Sequence, residues 1–298
     1  MSSYTSIIST ALQHNEFESF QELEDKLLSI NTNSPLLVAL ELGLRATTIG
    51  QAFALGYRCA LQELLPTLPQ DQWAAFCVTE EAGVHPKKLT TTLSSDNLIS
   101  GEKSFVSMAD KATQLIVIAV AGRNGDRPLL KAVKVSMPVV GAQVDVMPSM
   151  GMMPEVGHGK LTLENVPCEV LEGDGYLDFN KKFRTIEDAH LLMAFTSLIL
   201  SKSVRFGLDD SLIDECLVII SSLFSLSFED APINTLQLSG LYKLFEVLRD
   251  KFEIQLSEIN AGFKSEWERD SKVFGLSKKT RLVKRNKALE AFSGYSKV

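Results

Sequence analysis

The chain has 298 residues, 45% of them hydrophobic and 22% charged, enough to bury roughly 75% of its unfolded-chain surface in one or two cores. Its net charge of −7 argues against a general nucleic-acid binder. The apolar runs 36–44 and 213–226 are broken by acids and serines, short of the ~18 uninterrupted apolar residues of a membrane span.

The N-terminal zone reads as helical. Phe20, Leu23, Leu27 and Ile30 recur near the 3.6-residue period, after which Ser34-Pro35 supplies an N-cap and an N1 proline. A second helix is predicted over residues 36–65, with small residues at Gly43, Ala46, Gly50, Ala54 and Gly56 that permit close helix approach, and with Pro66 and Pro69 ending it. The opening segment has no basic stretch followed by a long apolar core, so no signal peptide is predicted and the cytoplasm is the expected compartment.

From Trp73 to Val170 the texture changes to short β-like runs: WAAFCVT, LTTTL, NLISGEKSFVS, TQLIVIAVA, PLLKAVKVS, AQVDVM and KLTLENV. Such strands without intervening helices predict an antiparallel sandwich or barrel and argue against a Rossmann fold. GHGKLT at 157–162 lacks phosphate-loop spacing and reads as a turn into a strand.

After Gly173-Asp174-Gly175-Tyr176 the chain reads as helical to its end. Thr185, with Asp188 three residues on, predicts an N-cap and a helix over 186–204; Asp209/Asp210, Pro232 and the 262–266 region punctuate three more. Lys278, Lys279, Arg281, Lys284, Arg285 and Lys287 interleave with Leu282, Val283, Ala288, Leu289 and Phe292, the pattern of an amphipathic helix with a basic outer face. A solvated surface is the simple reading of that face and a phosphate-binding surface the alternative. Trp267, Val273, Phe274, Leu276 and Leu282 supply the predicted buried side. The expected class is therefore α+β: an N-terminal helical segment (1–70), a central antiparallel β-domain (71–180) and a C-terminal helical bundle (181–298). Cys59, Cys77, Cys168 and Cys216 and the histidines at 14, 85, 158 and 190 are dispersed, so buried reduced thiols and no metal site are expected.

Three strings in order narrow the reading. CVTE at 77–80 with Ala82-Gly83 and TTTL resembles the first flavin-binding segment of acyl-CoA dehydrogenases, where a T-E-P-x-A-G-S-D loop follows a strand. GEKSFVSMADKATQLIVIA resembles the family's G-x-K-x-[FWY]-I-T segment and next strand, and KLTLENVPCEVLEGDGY its handover to the C-terminal helices. The resemblance implies FAD held against the β-domain and an acyl-CoA or other acyl thioester between flavin and helices. Thr79 would then contact the flavin pyrimidine edge, Ser107 would stand near N5 and Phe105 would pack beside the ring system. The bland alternative is that Thr79 and Ser107 merely end strands and Phe105 is core. Glu187, at the start of the first C-terminal helix, falls where some family members place the catalytic base. The alternative is that Glu187 and Asp188 are favourable charges at a helix N-terminus, with Arg184 pairing with either. The resemblance also implies self-association through the C-terminal helices as a homodimer or tetramer.

The departures are specific. Glu81 replaces the loop proline, Val84-His85-Pro86 occupies the serine–aspartate region, and the family's F-G-G-x-G and Y-E-G-T segments are absent. They motivate a second reading, a non-catalytic scaffold that keeps the fold.

Overall fold

The computed structural model describes residues 4–31, 33–229, 231–256 and 261–293. Four helices open the chain: α1 (Tyr4–Gln13), α2 (Phe20–Ser29), α3 (Pro35–Gly43) and α4 (Ile49–Leu64). The single helix expected over 36–65 is thus two. Thr48 ends the continuity because its hydroxyl accepts from Gln51 N (3.0 Å) while the Gln51 amide oxygen accepts from Thr47 N (2.8 Å), a capping-box arrangement that starts a new helix. Pro35 holds the first position of α3 as expected, but the Ser34 side chain makes no cap hydrogen bond.

Eight strands among the described residues form one sheet: β1 (Ala74–Cys77), β2 (Thr92–Leu93), β3 (Leu98–Ser107), β4 (Gln114–Asn124), β5 (Arg127–Ser136), β6 (Ala142–Val146), β7 (His158–Pro167) and β8 (Glu169–Val170). Their order is β6-β7-β3-β2-β4-β5-β8, with β1 added to β4. Most pairings are antiparallel, as expected, but β1 and β2 each run parallel to β4. GHGKLT, read as a turn into a strand, lies almost wholly within β7, which begins at His158; the turn precedes it, between residues 151 and 156.

The second helical region begins earlier than expected. Asp174 Oδ1 accepts from Tyr176 N (2.9 Å) and Leu177 N (2.8 Å), capping a π-helical segment, Gly175–Lys181, that runs directly into α5 (Lys182–Phe206). Thr185 is therefore not an N-cap, and Glu187 and Asp188 lie inside a helix rather than at its positive end. The helices α6 (Asp210–Leu223), α7 (Pro232–Leu256), α8 (Ala261–Asp270), α9 (Val273–Leu276) and α10 (Lys278–Ser293) follow. Asp209 caps α6 through Ser211 N (2.8 Å) and Pro232 opens α7, whereas 262–266 lies within α8. Trp267 is buried, but Leu276 and Leu282 are 67% and 55% exposed, because the break between α8 and α10 turns them outward. No helix among the described residues is long and apolar enough to cross a membrane.

One continuous core joins the N-terminal helices, α5–α8 and one face of the sheet, while Ala75, Cys77, Val106, Leu115, Val117 and Leu161 form a second core on the opposite face. This alternation along β1 and β4 is the period of two that a strand buried on both sides produces. All four cysteines are free, with Cys168 only half-buried. Helix α5 sits at the centre, and Gly43 lets α3 lie directly on it: a Cβ there would come within 2.9 Å of Ser197 Cβ and 3.0 Å of the Ala194 carbonyl oxygen. Gly43→Ala should destabilise the chain by about 1–3 kcal/mol through overpacking, read as a lower urea midpoint at unchanged slope.

Candidate functional site

The exit of β1 is fixed by hydrogen bonds to β3. The Thr79 carbonyl accepts from Ser104 N (2.8 Å), and the loop that follows closes through Gly83 N to Glu80 O (2.8 Å). Glu80 is buried and forms a 2.7 Å ion pair with Lys103, whose side chain is 0% exposed. Lys103 Nζ also donates to the Ile118 carbonyl (2.7 Å), and the Glu80 carboxylate further accepts from the backbone N–H and hydroxyl of both Thr90 and Thr91 (2.7–3.1 Å). Burial alone would raise the Glu80 pKa; the hydrogen bond and charge of Lys103, with the Thr90 donors, outweigh it and hold the carboxyl at about 2. Burial pulls the Lys103 ammonium below its ordinary value against the opposing pull of Glu80. The pair is ionised at neutral pH, since five donors converge on the carboxylate.

Next to this anchor is a cavity of about 380 Å³ between the sheet, α4, α5, α7 and the α9–α10 corner. Thr79, Phe105, Ser107 and Glu187 all line it. Phe105 and Ser107, two residues apart on β3, share a face while Val106 between them enters the second core. Phe105 is 38% exposed, which excludes the alternative that it is a core residue. His158 pairs with Ser107 across β3 and β7, and its ring stands 4.5 Å from the Phe105 ring, centroid to centroid. Burial keeps this imidazole below its ordinary pKa and hence neutral at pH 7.

Helix α5 supplies the opposite wall. Glu187 is half-buried, and its pKa is pushed up to about 8 by burial and by the neighbouring Asp188 charge, against smaller opposing effects of Lys284 and Arg184. Asp188 is raised as well, chiefly by burial, although Lys284 and Arg281 approach its carboxylate to 3.9 and 3.7 Å. The Tyr242 hydroxyl donates to the Asp188 carbonyl (2.8 Å), and the Arg281 guanidinium lies 4.0 Å from the centre of the Tyr242 ring. Arg281 and Lys284 of the basic C-terminal stretch therefore point inward toward a half-buried acid. The expected pairing of Arg184 with Glu187 or Asp188 is not formed as a contact within 4 Å; the guanidinium acts on both only through its field.

The arrangement suits a flat aromatic ligand. Tyr57, Phe76, Phe105 and Phe183 wall a space within the roughly 300–1,000 Å³ typical of small-molecule sites. Thr79 and Ser107 bring hydroxyls to the same cavity, and the buried Asn180 amide nitrogen in its wall has no hydrogen-bond partner. Among the described residues no cluster of side chains could hold a metal ion.

Neither a protein-family model nor a curated protein sequence matches the chain. Solved structures do match. A crystal structure of an FAD-dependent dehydrogenase superposes with a TM-score of 0.71 at 15% identity, covering 98% of each chain. Butyryl-CoA dehydrogenase from Megasphaera elsdenii gives 0.66 at 12% identity over 96% of this chain and 97% of that one. The prolyl acyl carrier protein oxidase AnaB gives 0.69 at 15% identity over 97% of each. The chain has the acyl-CoA dehydrogenase fold.

Within this acyl-CoA dehydrogenase fold, Thr79, Phe105 and Ser107 reach the cavity from the β-domain and Glu187 from the central helix, so the structure gathers all four predicted site residues. His158, Asn180, Tyr242 and the Glu80–Lys103 pair were not predicted. His158 looked like a turn residue and Asn180 lay before the expected helix start. The available signal for Asn180 was Asp174, a cap residue ahead of an acidic first turn that includes Asp178.

Proposed function

We propose that the chain is a flavin-dependent oxidoreductase that oxidises the α,β-bond of an acyl thioester, with Glu187 as the base. The observation that carries this reading is a glutamate held mostly uncharged at pH 7 in the wall of a cavity that Thr79, Phe105 and Ser107 enter from the opposite side. A base with a pKa near the working pH combines an available ionised fraction with a useful proton affinity. In its ionised form Glu187 accepts the α-proton at a carboxylate oxygen. Thr79 and Ser107 would hold the polar edge of FAD, and Phe105 its ring face. Bound FAD would supply the two-electron acceptor for the hydrogen leaving the β-carbon. The fold shared with FAD-dependent and acyl-CoA dehydrogenases supports the cofactor class. Self-association is part of the proposal: Ile233, Leu244, Val247 and Ile254 leave an exposed apolar stripe on α7 that suits a second copy of the chain.

Protein purified without added flavin and then titrated with FAD is expected to show saturable binding with a perturbed flavin absorbance spectrum. Phe105→Ala should weaken that binding about tenfold, the order expected from losing one aromatic packing partner worth roughly 0.5–1.5 kcal/mol. An unperturbed spectrum and no saturation would overturn the reading.

A further inference from the structure

Asn180 combines two properties rarely found together. It is 2% exposed, and its side-chain N–H group meets no acceptor. A buried donor left unmade costs the full desolvation of the group, so such groups concentrate where a ligand completes them. The residue lines the same cavity as Arg184 and Glu187.

The other charges of that cavity are matched. Arg281 faces Asp188 and donates to the Phe274 carbonyl (3.1 Å), Arg249 pairs with Asp250 (2.6 Å), and Glu246 pairs with Lys278 (3.3 Å). Arg184 forms no ion pair among the described residues. With Glu187 and His158 both held toward their neutral forms at pH 7, the wall formed by the Gly175–Lys181 segment and α5 presents one cation without an ion-pair contact and one unmade amide donor. That combination recognises an oxygen carrying negative charge.

We propose that Asn180 and Arg184 bind the thioester carbonyl oxygen of the substrate and stabilise the charge that develops there as Glu187 removes the α-proton. The inference rests on the function proposed above. The electrons balance within the substrate and Glu187: the α-C–H pair becomes the C–C double bond of the enolate, the carbonyl π pair moves onto oxygen, and the proton passes to a Glu187 carboxylate oxygen. Arg184 and Glu187 are three residues apart on α5, which puts their Cβ atoms about 5–6 Å apart. A carbonyl oxygen and its α-carbon can therefore each meet one of the two groups at once.

The test uses the full chain with FAD and butyryl-pantetheine in D2O, following loss of the α-proton signal by NMR, a readout that requires no net oxidation. Asn180→Leu and Arg184→Gln should each slow exchange about 10²–10³-fold, the loss typical of one oxyanion donor, while FAD affinity stays within about twofold. Asn180→Leu should also unfold at a urea concentration no lower than wild type, because it removes a donor that the free protein leaves unmade. In wild type the rate should rise with pH through about 8 as Glu187 ionises. Besides burial, the charges setting that limb are Asp188 and Arg184 on α5 and Lys284 on α10; Tyr57 on α4 and Tyr242 on α7 face the same carboxyl but, raised well above their ordinary pKa, stay neutral through it. Arg184→Gln should move the limb upward by removing a charge that favours the carboxylate; Asn180→Leu should leave it in place. Exchange within threefold of wild type in either variant overturns the pair. So does a wild-type protein that binds FAD and exchanges no α-proton, an outcome that leaves the flavin assignment standing. Exchange that depends on both residues in a chain that binds no FAD upholds the pair and refutes the flavin.

Discussion

Replacing Lys103 by methionine is expected to lower the unfolding free energy by about 3–5 kcal/mol, the cost of leaving one charge of a buried ion pair unpaired. The Glu80 carboxylate has no bulk water to turn to: it is buried, and its remaining partners, Thr90 and Thr91, are neutral donors that do not cancel its charge. Urea unfolding monitored by tryptophan fluorescence checks the value. The pH dependence gives a second, independent signature. Glu80 is held at about 2, below the roughly 4.3 of an unfolded glutamate. Its contribution is therefore complete above the unfolded value and is lost as pH falls through the folded one, a window of about pH 4.3 to 2. In Lys103→Met the carboxyl protonates at higher pH and so relieves its own burial, and the gap between the two proteins should narrow as the solution is acidified. Adding Glu80→Gln to the methionine variant should recover part of the loss, since the threonine donors keep an acceptor while the charge disappears. The functional consequence follows from position. Thr79 precedes Glu80, and FAD affinity should fall with stability if this anchor is what sets the loop against the cavity.

That anchor also marks the limit of what the chain reveals before folding. The strand within WAAFCVT, the β-rich middle and the helical ends follow from local patterns: alternation, turn residues and the 3.6-residue period act over a few positions and are written in adjacent letters. Thr79, Phe105 and Ser107 were named from motif strings and Glu187 from its place near the expected helix start, and the fold places all four along one cavity. The Glu80–Lys103 pair joins residues on different elements, and nothing in GEKSF distinguishes a buried lysine from a solvated one. The break at Thr48 was missed for a different reason. Helix propensity runs through Leu44–Thr48 without a proline, and only the hydrogen bonds of Gln51, from its N–H to the Thr48 hydroxyl and to its amide oxygen from Thr47 N, show that the chain restarts there. The late placement of the α5 start had the largest consequence. It put Asn180 outside the helix and Glu187 at its end, where a carboxylate is a routine favourable charge. Inside the helix, beside Asp188 and away from the dipole's positive end, the same residue is raised instead of stabilised in its charged form.

Glu187→Gln should reduce acyl-thioester-dependent flavin reduction by about 10²–10⁴-fold, the range general-base catalysis contributes, with FAD affinity little changed because the amide keeps the size of the carboxyl. Stopped-flow bleaching of the flavin band measures it directly. Two pH effects separate a base from a residue that merely fills space. Activity requires the ionised carboxylate, so the wild-type rate should climb with pH and level off above about 8, whereas the residual rate of the glutamine variant should lack that limb. Stability runs in the opposite direction. A glutamate whose folded pKa of about 8 exceeds its unfolded value of roughly 4.3 binds more protons in the native state over that interval. Its favourable contribution is thus present below pH 4.3 and is lost progressively up to pH 8. Glu187→Gln should remove this slope and leave the variant more stable than wild type at pH 9. A protein that loses rate while gaining alkaline stability at one position shows a carboxyl kept in a costly environment for its chemistry. Unchanged rate with the same gain in stability would identify Glu187 as a half-buried acid without a catalytic task, the behaviour expected of a scaffold that retains the fold alone.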